Sequence, residues 1–333
     1  MHQGGGRIAK GGGMNVNGGL KNAADNASVS SAFEAWRSGS EAVAGVRKVF
    51  LTGVAKSGTT WLMTLLNAHP EAVIRGEGGF AWRLLPLLQQ ATGAFNKHCE
   101  DNRLAEVTKI GNAEFAAIFR QVVLGRLAEY ARDAGTDPAS LKLIGDKTPQ
   151  HALAMPALEQ AFPEAVFVNI VRDPRDVAVS AWHHFVKRTA AGTVSEHNQP
   201  TLAEYATKFI RESWAMGVTA ALNAQKTLGD RVLQVRYEDL HAKPDLEMQR
   251  VIRFCGLSAT PARLESMLSA GSFERLSGGR ERGEEDASNF YRKGIVGDWG
   301  NHMTLDEAAF ATREIGPIMD HFGYATEKAR QTA

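Results

Sequence analysis

The stretch V-R-K-V-F-L-T-G-V-A-K-S-G-T-T-W, residues Val46–Trp61, decides how the rest of the chain is read. Val49, Phe50 and Leu51 form the short apolar run expected of a buried parallel strand. Gly53 and Gly58 bracket a turn, and Thr59 opens a helical segment, W-L-M-T-L-L-N, that stops before His69-Pro70. Strand, glycine loop and helix N-terminus together make an anion cradle, because unpaired backbone N–H groups and the helix dipole converge on one point. A nucleotide-kinase loop, G-x-x-x-x-G-K-[ST], carries its lysine directly after the second glycine. Here Thr59 holds that place, and the lysine lies inside the loop as Lys56. The charge enters the cradle from a different side.

Outward from this loop, apolar strands alternate with helical segments. Ala72–Arg75, Leu141–Ile144, Ala165–Val171 and Arg231–Arg236 read as strands. Phe80–Ala91, Glu114–Ala134, Leu202–Leu228, Leu246–Cys255, Arg263–Leu268 and Asp306–Phe322 read as helices. On Glu114–Ala134 the apolar side is Phe115, Ile118, Phe119, Val122, Val123 and Leu127. The alternation predicts an α/β fold, one domain over 46–325 with a central parallel sheet flanked by helices. Ligands of such folds sit at the carboxyl ends of the strands. Residues 1–45 are polar and glycine-rich and are expected to be a flexible tail. Within it Ser31–Arg37 is a short candidate helix anchored by Phe33 and Trp36. Residues 326–333 are taken as a C-terminal tail, and Ser277–Asn289 as a loop.

Composition narrows the classes. The 333 residues are 44% hydrophobic and 23% charged, with a formal net charge of +1, ordinary for a globular enzyme. That balance gives no reason to expect a nucleic-acid or membrane partner. Cys99 and Cys255 lack metal-ligand spacing and read as free thiols in a reducing compartment. No apolar run reaches the roughly 18 residues of a spanning helix, and no signal-peptide core is evident, so a cytoplasmic location is expected.

Two further segments offer anion contacts. In V-R-D-P-R-D-V-A-V-S-A-W, Arg172 follows a strand and Ser180 lies eight residues on, inside the next helix. A guanidinium and a hydroxyl can clamp a phosphate. The plain alternative is an ordinary helix start, with Asp173 as cap, Pro174 in the first turn and Arg172 in a salt bridge. In F-Y-R-K-G-I-V-G-D-W-G-N-H-M-T, Arg292 and Lys293 stand beside Gly294, whose backbone N–H is free to approach an anion. A solvated basic loop is the usual meaning of a bare R-K-G.

Taken together, the three segments resemble the family of sulfotransferases that use 3′-phosphoadenosine 5′-phosphosulfate (PAPS) as donor and release 3′-phosphoadenosine 5′-phosphate (PAP). K-S-G-T-T-W is similar to that family's 5′-phosphosulfate loop, Arg172 and Ser180 to its 3′-phosphate motif, and R-K-G-x-x-G-D-W-x-N-H-x-T to its second 3′-phosphate signature. Gly300 departs from the pattern, which commonly has lysine there. The resemblance implies a P-loop-like sulfotransferase fold and sulfuryl transfer to a hydroxyl of a small-molecule acceptor, without a metal. It implies that Ser57, Gly58, Thr59 and Thr60 hold the 5′-phosphate with Lys56, and that Trp61, Tyr237, Ser272 and Phe273 surround the adenine. Arg172, Ser180, Arg292, Lys293 and Gly294 are then the 3′-phosphate contacts. Tyrosine and phenylalanine at strand ends are more often core, and Trp61 alone reads equally as helix packing.

Sulfuryl transfer is an in-line displacement driven by positioning and charge. Lys56 is the candidate to stabilise the leaving oxygen, and Lys147 a second cation beside it. The acceptor's base is ambiguous. Phenol-type members carry a histidine two residues after a lysine, but in D-K-T-P-Q-H that place is Pro149, with His151 displaced by two. Other branches take a glutamate after the loop helix, and Glu77 in R-G-E-G-G-F is at the matching place. Glu77 is preferred, with His151 the alternative. A P-loop nucleotide kinase and a non-catalytic nucleotide-binding module are the rival readings. Gly78–Gln90, Lys187–Thr201 and Gly278–Asn289 are expected to face the acceptor, with Phe80, Trp82, His183, His184 and Phe185 making a partly aromatic pocket. Oligomeric state stays open.

Overall fold

The structure, a computed structural model, describes residues 23–103, 109–192 and 199–324. Its centre is a sheet of five parallel strands, β1 (Arg47–Gly53), β2 (Ala72–Gly76), β3 (Leu143–Lys147), β4 (Val166–Val171) and β5 (Val232–Arg236), in the order β2-β3-β1-β4-β5. The chain leaves β1 for one edge and later returns to its other side at β4. The carboxyl ends of β1 and β4 therefore frame the crevice where such sheets bind ligands.

Fourteen α-helices surround the sheet among the described residues: α1 (Ala23–Ala44), α2 (Thr59–Asn67), α3 (Leu85–Asp101), α4 (Asn112–Asp133), α5 (Met155–Ala161), α6 (Pro174–Ala190), α7 (Leu202–Phe209), α8 (Ala215–Leu228), α9 (Tyr237–Ala242), α10 (Pro244–Phe254), α11 (Pro261–Ala270), α12 (Phe273–Ser277), α13 (Leu305–Thr312) and α14 (Gly316–His321). Strand residues alternate between the two faces, as the pleat requires. Phe50, Val73, Ile144, Phe167 and Val232 pack with α1, α3, α4, α5 and α8. Val49, Leu51, Ile74, Leu143, Val168 and Val235 pack with α2, α9, α10 and α11. A third cluster, with α6, α7, α13 and α14, covers Val54 just past β1 and Val171 at the end of β4. The register also shows in polar side chains: Thr52 Oγ1 donates to Asn169 Oδ1 at 2.8 Å, and Asn169 Nδ2 to Gln234 Oε1 at 2.7 Å.

Three expectations need correction. The tail assigned to 1–45 is helix over Ala23–Ala44. Trp36 closes over Gly125 of α4, where an added Cβ would lie 2.0 Å from the indole nitrogen. Phe33 is not an anchor, at 53% exposed. Buried Lys48 caps the helix: its ammonium donates to the carbonyls of Val43, at 3.0 Å, and Ala44, a favourable place for a cation. Burial pushes this ammonium down from its ordinary 10.5 to about 8, with Glu164 opposing the shift. The single helix expected over Leu202–Leu228 is interrupted by a wide turn at Ile210–Trp214, which directs the Trp214 indole N–H to Arg172 O at 2.9 Å. The closing helix is likewise two, α13 and α14. Residues 1–22 and 325–333 lie outside the described residues, the C-terminal tail with them. Both cysteines are free and buried. No helix among the described residues is long and apolar enough to cross a membrane.

Candidate active site

At the carboxyl ends of β1 and β4, one cleft brings together most of the residues singled out from sequence. Lys56, Gly58, Thr59, Thr60 and Trp61 line it from the loop and α2, Arg172 from just past β4 and Ser180 from α6. Tyr237, Phe273, Arg292, Lys293 and Gly294 complete its far wall. Three segments spread over 239 positions, Lys56 to Gly294, thus meet in one place.

The loop is tightly built. Gly58 takes φ 101°, and a Cβ there would fall 2.7 Å from the Tyr237 ring, so only glycine lets the loop run beneath that tyrosine. Trp61 donates its indole N–H to Gly271 O at 2.8 Å and meets Tyr237 edge-on, centroids 5.3 Å apart. Lys56 sits 4.8 Å over the Phe290 ring. Burial and the neighbouring Lys187 charge lower its ammonium, while Glu77 opposes them. Ser57 does not line the cleft wall. It is buried, with its hydroxyl unpartnered.

Convergence of the two later motifs has a specific cause. Asp173 caps α6 by accepting from Arg175 N at 2.9 Å, as the plain reading expected. Asp176, fully buried at the side chain, accepts from the backbone N–H groups of Gly297, at 2.8 Å, and Trp299, at 2.9 Å. Arg175 lies 4.2 Å over the Trp299 ring, and Arg172 donates to Ile295 O at 3.0 Å. The start of α6 thus holds the R-K-G-I-V-G-D-W segment against the crevice. Arg172 also lies 4.3 Å over the Tyr237 ring, and its Nε is buried without a partner.

Arg292 Nη1 meets Glu285 at 2.6 Å, and its Nη2 bonds Asp298. Lys293 bonds Asp298 at 2.8 Å, and Asn301 does so at 2.9 Å. Burial disfavours the Asp298 carboxylate, but the hydrogen bonds from Lys293, Asn301 and Arg292 outweigh it and hold the carboxyl far below its usual range. Glu285 was not singled out; it lay in the charged run Gly278–Asn289, read as a loop facing the acceptor. Arg282, His241 and Tyr291 also line the cleft and were missed. His241, four residues after Tyr237 on α9, had a helical-spacing signal that went unused.

The remaining sequence candidates are placed as follows. Glu77 is exposed and accepts from Lys147 Nζ at 2.8 Å; Lys147 is buried at the end of β3. His151 is fully buried, away from the cleft, between Phe50 and Phe80, with Nε2 2.9 Å from Asp146 Oδ1. Asp146 also accepts from Thr148 Oγ1, Gly78 N and Tyr130 OH at 2.6, 2.8 and 3.0 Å, a network that shapes the segment carrying Glu77. Ser272 caps α12, accepting from Arg275 N at 3.3 Å, rather than lining the cleft. Phe80 is core and not acceptor wall, at 2% exposed, and Phe185 packs on Trp182 and Tyr205. Trp82 is 49% exposed, and His183 and His184 line a neighbouring cleft. Among the described residues, no three of His, Cys, Asp and Glu are placed to hold a metal ion.

This is a parallel α/β domain with a glycine loop at the carboxyl end of β1, and comparison with known proteins gives the class a family. The chain belongs to the sulfotransferase family, whose model matches residues 48–261. It is 28% identical over 294 residues to nodulation protein NoeE of Sinorhizobium fredii, covering 83% of this chain and 65% of that protein. It is 26% identical over 186 residues to sulfotransferase 2A1 of Rattus norvegicus, covering 50% of this chain and 60% of that one. The chain thus spans less than two thirds of the length of both. Protein-tyrosine sulfotransferase 1 of Danio rerio is 24% identical over 280 residues, 83% of this chain and 72% of the relative. Among solved structures, mouse sulfotransferase SULT7A1 complexed with PAP has a TM-score of 0.50 at 16% identity, covering 84% of this chain and 89% of that one, a likeness of fold.

Proposed function

We propose that the protein transfers a sulfuryl group from PAPS to a hydroxyl of a small-molecule acceptor. The observation that carries this is the convergence of the Lys56 loop, the Arg172–Ser180 pair and the Arg292–Gly294 segment on one cleft. The residues fit a donor with two anionic ends: the loop of Lys56, Gly58, Thr59 and Thr60 lines one end of the cleft, and Arg172, which lines it further on, has a buried Nε without a partner, a costly arrangement that an anion's oxygens relieve. Gly58, Thr59 and Thr60 hold the 5′-phosphate, with buried Ser57 behind them in the loop, and Arg172, Ser180, Arg292 and Lys293 hold the 3′-phosphate. Trp61, Tyr237 and Phe273 supply aromatic surface for the purine. Ser272 contributes as the cap that fixes Phe273.

When bound, the donor supplies an activated sulfuryl group on its 5′-phosphate. Lys56 offsets negative charge on the phosphate oxygen as its bond to sulfur breaks. Glu77 takes the proton from the acceptor hydroxyl as the new S–O bond forms, and Lys147 orients Glu77 through their 2.8 Å ion pair. Burial and the Asp146 hydrogen bond make His151 a support for that segment rather than the base. A reducing cytoplasm suits the two unpaired thiols.

The test is transfer of label from sulfur-35 PAPS to a panel of hydroxylated acceptors, with PAP affinity measured by calorimetry. Labelled product and micromolar or tighter PAP binding are expected. Turnover of ATP with Mg²⁺ and no affinity for PAP would point to a kinase. PAP binding with no transfer to any acceptor would leave a non-catalytic nucleotide module.

A further inference from the structure

Glu77 presents an exposed carboxylate, its side chain 58% accessible, on a backbone that is gripped from beneath. The parallel strands β2 and β3 place Gly76 opposite Lys147. Where they end, three consecutive residues, D-K-T, hold three consecutive residues, E-G-G. Asp146 Oδ2 accepts from Gly78 N at 2.8 Å, Lys147 Nζ donates to Glu77 Oε1 at 2.8 Å, and Thr148 Oγ1 accepts from Gly79 N at 3.1 Å. The glycines flanking Glu77 are pressed against the same groups. A Cβ on Gly76 would lie 2.8 Å from Lys147 Cε, and one on Gly78 would lie 2.6 Å from Tyr130 OH and 2.8 Å from Asp146 Oδ2. The clamp leaves no room for a side chain on either flank.

The clamp is anchored on Asp146, which is fully buried and whose two oxygens have different partners. Oδ2 takes Gly78 N and, from α4, Tyr130 OH at 3.0 Å. Oδ1 takes Thr148 Oγ1 at 2.6 Å and His151 Nε2 at 2.9 Å. Burial disfavours this carboxylate, but hydrogen bonds from His151, Thr148 and the Gly78 N–H outweigh it and hold the carboxyl below its usual range. An ionised carboxylate only accepts, so the His151 hydrogen is on Nε2. A buried charge is a weak device for stability alone, because its desolvation offsets what its partners contribute. It does fix direction: a fully satisfied polar network is rigid, and this one sets where the Gly78 amide lies. The Tyr130 ring is packed on Phe80, centroids 6.3 Å apart, so its hydroxyl reaches Oδ2 from a helix already in place.

We propose that Asp146 and Tyr130 are positioning residues for the acceptor's base: they aim the exposed Glu77 carboxylate through the Gly78 amide, while Lys147 holds one of its oxygens. The inference rests on the reading of Glu77 as that base. A carboxylate on a free loop samples many directions, and ordering it at the moment of reaction lowers the rate. Here the ordering is completed in folding. His151 stands outside this arm. It meets Oδ1, which keeps Thr148 without it, so its loss acts on stability rather than on aim.

The experiment compares Tyr130→Phe, Asp146→Asn and Glu77→Gln in the full chain, with sulfur-35 PAPS and two acceptors, benzyl alcohol and 4-nitrophenol. The alcohol needs a base, whereas the acidic phenol gives up its proton with little help. Tyr130→Phe should lower benzyl alcohol turnover about 3- to 10-fold and Asp146→Asn about 10- to 100-fold, as a displacement of up to about 1 Å does. Turnover of 4-nitrophenol should change less than about twofold. PAP affinity and the KM for benzyl alcohol should stay near wild type. On a Glu77→Gln background, Tyr130→Phe should take nothing further from benzyl alcohol turnover. Tyr130→Phe removes one oxygen and leaves the ring packed, so the test stands even where Asp146→Asn lowers the melting temperature. Equal losses for the two acceptors, or the same loss with and without Glu77, would overturn the proposal while leaving Glu77 as the base. A silent Glu77→Gln refutes the base itself, and the positioning with it. No labelled product from these or any acceptor of the panel would overturn both along with the transfer reading.

Discussion

The 3′-phosphate assignment predicts opposite effects from two neighbouring residues. Arg292 holds two carboxylates, and they differ. Asp298 is 3% exposed and is also bonded by Lys293, Asn301 and His302, so it is fixed. Glu285 is 37% exposed, on a loop with glycines at positive φ, and meets Arg292 at 2.6 Å. A phosphate that reaches Arg292 therefore replaces Glu285 and not Asp298. The gain is a charged hydrogen bond, about 1.5–3 kcal/mol. The loss is a partly exposed ion pair, about 0–1 kcal/mol. Arg292→Ala should weaken PAP binding by roughly 0.5–3 kcal/mol, about 2- to 150-fold. Adenosine 5′-phosphosulfate, which lacks the 3′-phosphate, should lose little. Glu285→Gln keeps the shape but removes the competing charge, so PAP should bind up to about fivefold more tightly. Calorimetry with both ligands on both variants reads all four numbers. Equal losses for the two ligands with Arg292→Ala, or weaker PAP binding with Glu285→Gln, would refute the exchange.

Four other outcomes follow from the geometry. Glu77→Gln should leave PAP affinity near wild type while turnover falls about 10²–10⁴-fold, most for an alkyl alcohol and least for an acidic phenol. His151→Ala should instead cost roughly 1–3 kcal/mol in urea unfolding, because buried Asp146 loses a partner, with turnover per folded molecule little changed; the reverse pattern returns the base to His151. Gly58→Ala should lower stability by about 1–2 kcal/mol and impair PAP binding, since the residue sits at φ 101° against Tyr237, and an unchanged melting temperature and affinity would remove the close-approach argument. Because the Lys48 ammonium is depressed to about 8 from 10.5, the unfolded chain binds more protons between those values, and this group's contribution makes stability rise with pH across that window. Lys48→Met should flatten that part of the unfolding profile by up to about 3 kcal/mol, and parallel profiles for the two proteins would show that the ammonium is not held as described.

Which parts were legible in the sequence depended on how local their causes are. β1, its loop and α2 were readable because an apolar run, two glycines and an amphipathic segment are all contained in sixteen residues. The end of β3 was not. The reading stopped at Ile144, where the apolar run ends, yet Asp146 and Lys147 continue the strand as buried polar residues serving the segment of Glu77. α1 was hidden for the opposite reason. Its sequence is mostly small and polar, and its hold on the domain comes from Trp36 on Gly125 and from Lys48 on its last carbonyls. The aromatic residues were ambiguous by nature: Phe80 looked like acceptor wall and is core, while Phe290, read only as a motif's first letter, stands over Lys56. Nothing local tells which acid of G-E-E-D reaches Arg292. The hydrogen bonds from Gly283 N to Lys293 O and from Asp286 N to Arg292 O decide it.

One residue that no motif reading singled out explains why the cleft's walls form a single object. Asp176 lies 121 residues before Gly297 in the chain, yet its two oxygens accept the backbone N–H groups of Gly297 and Trp299. The same loop carries Arg292 to Gly294. Arg172, one turn before Asp176, reaches back to Ile295 O. The arginine and serine of the second motif and the cations of the third are therefore fixed by shared backbone hydrogen bonds, not merely set side by side. A cation pair on an unanchored loop would lose much of its binding energy in being ordered. Here a buried carboxylate takes up that cost during folding, so on the proposed assignment a 3′-phosphate meets arginines that are already ordered.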